Sequence, residues 1–430
     1  MTFLRRTSRQ PPRDLYSVIT ASYLAVALAL GYGVPILNRA LAPQITSRLS
    51  GATLSAVLSA MAAGMMALTA IIFSLAFVII QVATANYSPR VTRVFARMGA
   101  LRHAMGIFSG AFVYCLLALS QTDVTATSHV GALTVWVALI WLLAAVGALT
   151  LLGRAFAGLT VSNLLTMLSM GAAESIDRIY TDGEAAAGGR GETTEADAMP
   201  VLQRLIHHAG PLYLTALHVP EIVSLAEASD AIIRVPHVVG DPIVEGQLLG
   251  TVHGRGTGVD ERHLRSAIRL ESSRALRHDP KYSLRLLVDI AIRALSPAIN
   301  DPTTAVQCID QIEGTLERLG NRHLDIGQVH DRAGRLRLVY RTSSWEDYVR
   351  LAFSEIILYG SAALQVQRRL QAAVRDLIER LAASRHPPLL EIAELCREAA
   401  DAHLDSGRYR QWAARADRQG LGGSRPELEA

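Results

Sequence analysis

Two groups of polar residues in this sequence stand at spacings that matter, and neither forms a set for covalent chemistry. The first is Arg293, Ser296, Pro297, Asn300, Asp301 and Pro302, in the phrase RALSPAINDP. Its polar groups could hold an anion or a regulatory ligand at a helix N-terminus. The simpler reading is a tight corner between two helices, with Asp301 capping the second and Pro302 at its first position. The negative charge of Asp301 itself opposes an anion there. The second group is Ser74, Gln81 and Ser88, with Thr84 beside them, inside a long uncharged stretch. A seven-residue spacing puts them on one helix face. That seam would either hydrogen-bond to another helix in lipid or line a wetted path. Arg90 and Arg93 follow at once, and as charges at an inner mouth they would raise the local anion concentration.

Other chemistry is hard to find. There is no Walker-type loop, no H-E-x-x-H and no paired C-x-x-C. His207, His208, His218, His237, His253, His263 and His278 lack metal-ligand spacing, so no metal is expected. Gly254, Gly256 and Gly258 lack the lysine and the strand-turn-helix context of a phosphate loop. Cys115, Cys308 and Cys396 stand alone, which indicates neither a disulfide framework nor a zinc knuckle. No catalytic set and no cofactor is expected, and the chain reads as a non-enzyme. The net charge is +4, and basic and acidic residues are interspersed, so no nucleic-acid partner is expected.

The elements that carry these residues fall into two classes. Half of the 430 residues are hydrophobic and 19% are charged, and the two populations are segregated. Apolar residues dominate 16–170, which reads as four transmembrane helices: Tyr16–Leu37, 52–90, His103–Ser120 and Gly131–Leu152. The second is the longest. Its outer half carries Ala52, Ala56, Ala60 and Gly64 on one ridge and Ser55, Ser59, Ala63 and Ala67 on another. Small residues every four positions let helix backbones approach closely in lipid, so this helix is expected to pack against protein. Arginines gather before the first span and between the second and third, which puts both termini in the cytoplasm of a bacterial inner membrane.

Beyond the spans, the helical period continues to about residue 180 but turns amphipathic, as for a helix leaving along the inner membrane surface. Residues 1–15 read as a basic cytoplasmic arm and 171–200 as a flexible linker. A β-rich module follows at 201–258, with VVGDPIVEGQLLGTV as a hairpin turning at Gly240–Asp241. That phrase is similar to the hairpin of lipoyl-like, barrel-sandwich domains, in shape only, because no acceptor lysine stands on a hairpin. Residues 259–405 read as a helical module with a short hairpin, and 406–430 as a disordered tail. The fold class is thus membrane α-helical plus a cytoplasmic α+β domain.

The words FSLAFVIIQVATANYSPRV, GIFSGAFVYCLLAL and LVDIAIRALSPAINDPTTAVQCID, in this order, closely resemble a bacterial family of predicted membrane proteins, domain of unknown function 2254. The resemblance implies an N-terminal multi-span region and a soluble C-terminal region. It implies no activity, substrate or catalytic residue. Two functional expectations stand side by side. One is a homo-oligomeric, channel-like pore for an ion or small ligand. The other is a non-conducting scaffold or sensor in the lipid bilayer that presents a cytoplasmic binding module.

Overall fold

The computed structural model describes residues 15–41, 49–86, 99–122, 132–157, 160–180, 198–256, 258–274 and 279–422. They form two compact units, one up to Thr160 and one from Val161 onward.

The first unit contains α1 (Leu15–Leu41), α2 (Gly51–Asn86), α3 (Gly99–Ser120) and α4 (Ala132–Ala157). All four are long and apolar enough to cross a membrane. The packing centre is α3, not the longer α2. Its Ala104, Phe108, Ala111, Tyr114 and Cys115 are buried, and it lies against both α1 and α4. Close approach depends on small residues: a Cβ at Gly110 would stand 2.7 Å from the Trp141 ring and 3.2 Å from Tyr23 O. Polar groups are paired across the helices. Asn38 Nδ2 donates to Thr134 Oγ1 at 2.8 Å, and Tyr114 OH donates to Thr134 O at 3.1 Å. Gln121 Nε2 reaches Gly31 O at 3.0 Å. Helix α2 joins this cluster by one stripe only: Leu54, Leu58, Ala62, Met65 and Ile72.

The second unit opens with α5 (Val161–Ile179), whose buried residues are Leu164, Leu165, Leu168, Ala172, Ser175 and Ile176. The membrane-surface helix expected here, and the start of the linker expected from residue 171, therefore give way to a helix in the core of the second unit. An amphipathic period fits a protein core as well as a lipid surface, and sequence alone does not choose between them. Its neighbours are α8 (Pro280–Ala294) and α9 (Pro302–Gly320), an antiparallel pair joined by the SPAINDP corner. Asp177, near the C-terminal end of α5, accepts from Arg318 Nε at 2.9 Å and Arg322 Nη2 at 2.7 Å, at the C-terminal end of α9. Because these pairs join the two C-terminal ends, α5 and α9 run in the same direction.

The strands are β1 (Val201–Ile206), β2 (Leu212–Leu217), β3 (Ala231–Val235), β4 (Pro242–Ile243), β5 (Leu248–Gly254), β6 (Ile268–Glu271), β7 (Gln328–His330) and β8 (Leu336–Tyr340). Five form a sheet in the order β1-β5-β3-β8-β7, and three form a sheet in the order β4-β2-β6. Helices α6 (Val219–Ala228) and α7 (Glu261–Ala267) complete this region. Two expectations change here. Gly240 and Asp241 do not turn between paired neighbours but lead into β4, which joins β2 in the other sheet, while β3 pairs with β5 directly. The boundary expected at residue 258 also dissolves. Strand β8, from the helical part, lies parallel to β3 and buries Leu338 in the same core.

Helices α10 (Trp345–Tyr359), α11 (Leu364–Arg380), α12 (His386–His403) and α13 (Gly407–Ala413) follow. Up to residue 422 the tail expected to be disordered is instead held by polar contacts. Buried Arg368 donates to Arg415 O at 3.1 Å and to Gly422 O at 2.9 Å, and Asp417 accepts from Gly422 N at 2.7 Å. Its low apolar content concealed this, because these contacts are hydrogen bonds to buried charged groups.

If close backbone approach at α3 governs the membrane unit, Gly110→Leu should cost about 1–3 kcal/mol, as overpacking does. Thermal unfolding in detergent should show a lowered midpoint, whereas Gly147→Leu, with nothing within 4 Å, should leave it unchanged.

Candidate functional site

The small and polar residues of α2 are brought together on one face, and that face is turned away from the chain's own helices. At about 100° per residue, Ser74 and Gln81 lie roughly half a turn round from the buried Ile72. Ala52, Ala56, Ser59, Ala60, Ala63, Gly64, Ala67, Ser74 and Gln81 are all exposed, and Ser55 is half-buried. A Cβ at Gly64 would meet open space. Among the described residues the ridges thus have no partner within the unit, and no charged residue interrupts α2. Thr84 lies on the same helix. Ser88, Arg90 and Arg93 lie outside the described residues.

The SPAINDP residues are also brought together, in a seven-residue corner. Asp301 N donates to Ala294 O at 2.8 Å, and Asn300 N donates to Ser296 O at 2.8 Å. Asn300 has φ +49°, a left-handed conformation that asparagine tolerates better than most residues. Asp301 caps α9: its carboxylate accepts from Thr304 N at 3.1 Å and from Thr304 Oγ1 at 2.5 Å. Pro302 occupies the first position of α9, and Ser296 Oγ donates to Arg293 O at 2.7 Å. Pro297, Ala298, Ile299, Asn300 and Arg293 are exposed. With its carboxylate engaged by the helix, Asp301 shapes the turn.

A third group lies at the opposite end of α8 and escaped the sequence reading. Asp279 is 6% exposed and caps α8, accepting from Tyr282 N at 3.0 Å. Burial is the main cause that raises its carboxyl to about 6, against partial relief from that backbone bond, Arg274 and Lys281. Gly240, at φ +102°, makes room for it, since a Cβ there would stand 2.6 Å from Asp279 Oδ2. Nearby, Tyr180 OH and Tyr348 OH are 2.9 Å apart, and burial drives both phenols upward. Lys281 Nζ donates to Ser343 Oγ at 3.4 Å. These residues come from segments far apart in sequence. The one local signal was Asp279–Pro280 ahead of an amphipathic run, together with Lys281, the single lysine of the chain.

The remaining candidates are structural. Among the described residues no cluster of His, Cys, Asp and Glu is arranged to hold a metal. His207 Nε2 lies 2.9 Å from Gly210 O, and His237 Nε2 lies 2.7 Å from Leu248 O. Gly254 ends β5, and Gly256 lets the chain pass close to Ser229 O. All three cysteines are free and buried.

Comparison with known proteins agrees with a membrane reading. A family described as "Predicted membrane protein (DUF2254)" matches residues 13–376. The uncharacterized protein Rv1290c of Mycobacterium tuberculosis is 30% identical over 355 residues, covering 78% of this chain and 67% of that protein. The uncharacterized protein Mb1321c of Mycobacterium bovis matches to the same extent. No solved structure matches the chain.

Asp279 generates a pH prediction. Its folded pKa lies above its ordinary 3.8, so between those values the folded state binds the extra proton. Stability is therefore highest when the group is protonated and falls as pH rises from about 4 to about 6, by on the order of 3 kcal/mol. Asp279→Asn keeps an acceptor for Tyr282 N and has no charge to bury. Melting temperatures at pH 4.5 and 7 should show a smaller difference in this variant than in the wild type.

Proposed function

The chain belongs to the family of predicted membrane proteins DUF2254, and from that premise we propose that it forms a homo-oligomeric, channel-like pore in the bacterial inner membrane. In this reading the soluble unit and both termini are cytoplasmic, and the soluble unit regulates the pore without covalent chemistry. One observation carries it: the small and polar face of α2 is exposed on its own unit, while the opposite face is buried. Small residues in lipid gain by close backbone contact with another helix, and among the described residues the chain's own helices do not supply it. A second copy presents an identical face. Around a shared axis, α2 helices would bring Ser74 and Gln81 together as an uncharged lining for an ion or small solute. Orientation rests on arginines 5, 6, 9 and 13 before the first span and 90, 93, 97 and 102 after the second. The two sheets act as a barrel-sandwich-like body in shape alone, because Lys281 lies on α8.

A non-conducting scaffold or sensor is the second reading. It is favoured by the sparseness of the seam, where only Ser74 and Gln81 offer exposed polar groups over two turns.

Gly64→Leu or Ala60→Leu should dissociate the oligomer, read as a fall in mass of the purified protein in detergent. Cysteine at positions 74 and 81 should react with a hydrophilic thiol reagent, since the native cysteines are buried. Gln81→Leu should change ion flux in liposomes with assembly intact. A monomeric wild type, or an assembled one that passes no ion while both seam cysteines stay inert, would leave the scaffold standing.

A further inference from the structure

Strands and helices of the second unit meet around one buried carboxyl group. Asp279 caps α8, and its neighbours come from different elements. Gly240, in the link from β3 to β4, lies against Asp279 Oδ2, where a Cβ would stand only 2.6 Å away. Tyr180 follows α5 and Tyr348 belongs to the first turn of α10, and their hydroxyls are 2.9 Å apart. Both phenols lie close enough for the charge of Asp279 to act on them. Tyr340, at the end of β8, is close to Tyr180 in turn. Asp279, Tyr180 and Tyr348 are all buried.

This joint suits a neutral acid and not an anion. Two cations are near, Arg274 and Lys281, and they offset burial only in part. Lys281 turns its ammonium to Ser343 Oγ, and Arg274 lies over the Tyr213 ring at 5.3 Å. The three phenols face the joint as neutral groups, since burial drives each of them upward. A carboxylate so placed regains water only if its cover lifts. The water would meet a second polar group there, because Ser283 Oγ, fully buried one turn along α8, has no hydrogen-bond partner. On the side of Gly240 the cover is thin: Pro236, His237, Val238 and Val239 are all half-buried. In this link His237 Nε2 lies 2.7 Å from Leu248 O, and Asp241 Oδ2 accepts from Val238 N at 2.9 Å.

We propose that Asp279 is a proton-operated latch within the second unit. Neutral, it stays beneath the Gly240 link and holds strands and helices together; ionised, it draws water into the joint and lifts the link. Gly240 N donates to Leu214 O at 2.7 Å and Leu214 N donates to Asp241 O at 3.0 Å, so these are the bonds that opening loosens. The carboxyl is raised to about 6 when covered and returns toward 3.8 when hydrated. The open form therefore gains about tenfold or more between pH 4.5 and 7.5, shut in mild acid and loosened at neutral pH. The stability loss described for Asp279 is in this way confined to one joint, while the helical core keeps its packing.

Hydrogen exchange of the full chain in detergent, read by mass spectrometry and corrected for the intrinsic effect of pH on exchange, tests the latch. Backbone protection over 212–216, 236–243 and the first two turns of α8 should fall about tenfold or more from pH 4.5 to 7.5. Residues 305–316 of α9 should not change. Asp279→Asn should abolish the pH dependence and keep the link protected at both pH values. Asp279→Ser, which also caps a helix without titrating, takes its place if the asparagine variant fails to fold. An equal wild-type response in α9 would make the effect a property of the whole fold and overturn the latch. A response that persists in both variants would assign it to His237 or another titrating group and overturn it as well. So would a wild type whose link is equally protected at both pH values.

Discussion

Burial of one face of α5 is the contact that joins it to the α8–α9 pair in the second unit. Leu164, Leu165, Leu168 and Ile176 disappear against α8 and α9. Each such side chain contributes roughly 1.5–3 kcal/mol when removed from water. The ion pairs of Asp177 with Arg318 and Arg322 leave that carboxylate 41% exposed, and pairs of this kind contribute only about 0–1 kcal/mol. Apolar burial therefore supplies the stability. The charges set which end of α5 meets which end of α9.

In the membrane unit the division of labour is different. There, α3 is held by small residues at Gly106 and Gly110 and by paired polar groups. Helix α2 uses bulkier residues, Leu54, Leu58, Met65 and Ile72, on its inner face, and keeps its small residues outside. The small ridges face outward along the first half of α2, and Ile71, Phe73 and Phe77 are exposed along its second half. Lipid tails are indifferent to an alanine or serine ridge, whereas another helix is not.

Much of this architecture was legible because it is written locally. Four apolar runs gave the candidate spans, and the break at Gly360 falls between α10 and α11. Asp301 and Pro302 marked the start of α9 by cap chemistry that reads over four residues. The places where the sequence misled are those decided by distant partners. The amphipathic face of α5 could not announce that α8 and α9, more than a hundred residues on, would cover it. The same holds for β8, which enters a sheet begun by β1, and for Asp279, whose neighbours Gly240, Tyr180 and Tyr348 come from three other segments. On α2 the small ridges were plain in sequence, but which way they face was not, because spacing defines a face without saying what lies opposite.

The distance along the chain between α5 and its cover also has a meaning in time. Helix α5 is complete at Ile179, while its partner α9 ends at Gly320. At typical translation speeds, the ribosome takes on the order of ten seconds to make the intervening residues. Throughout that interval the leucines of α5 lack the two helices that cover them in the finished fold. The arrival of α9 is therefore the step that completes the cover of α5.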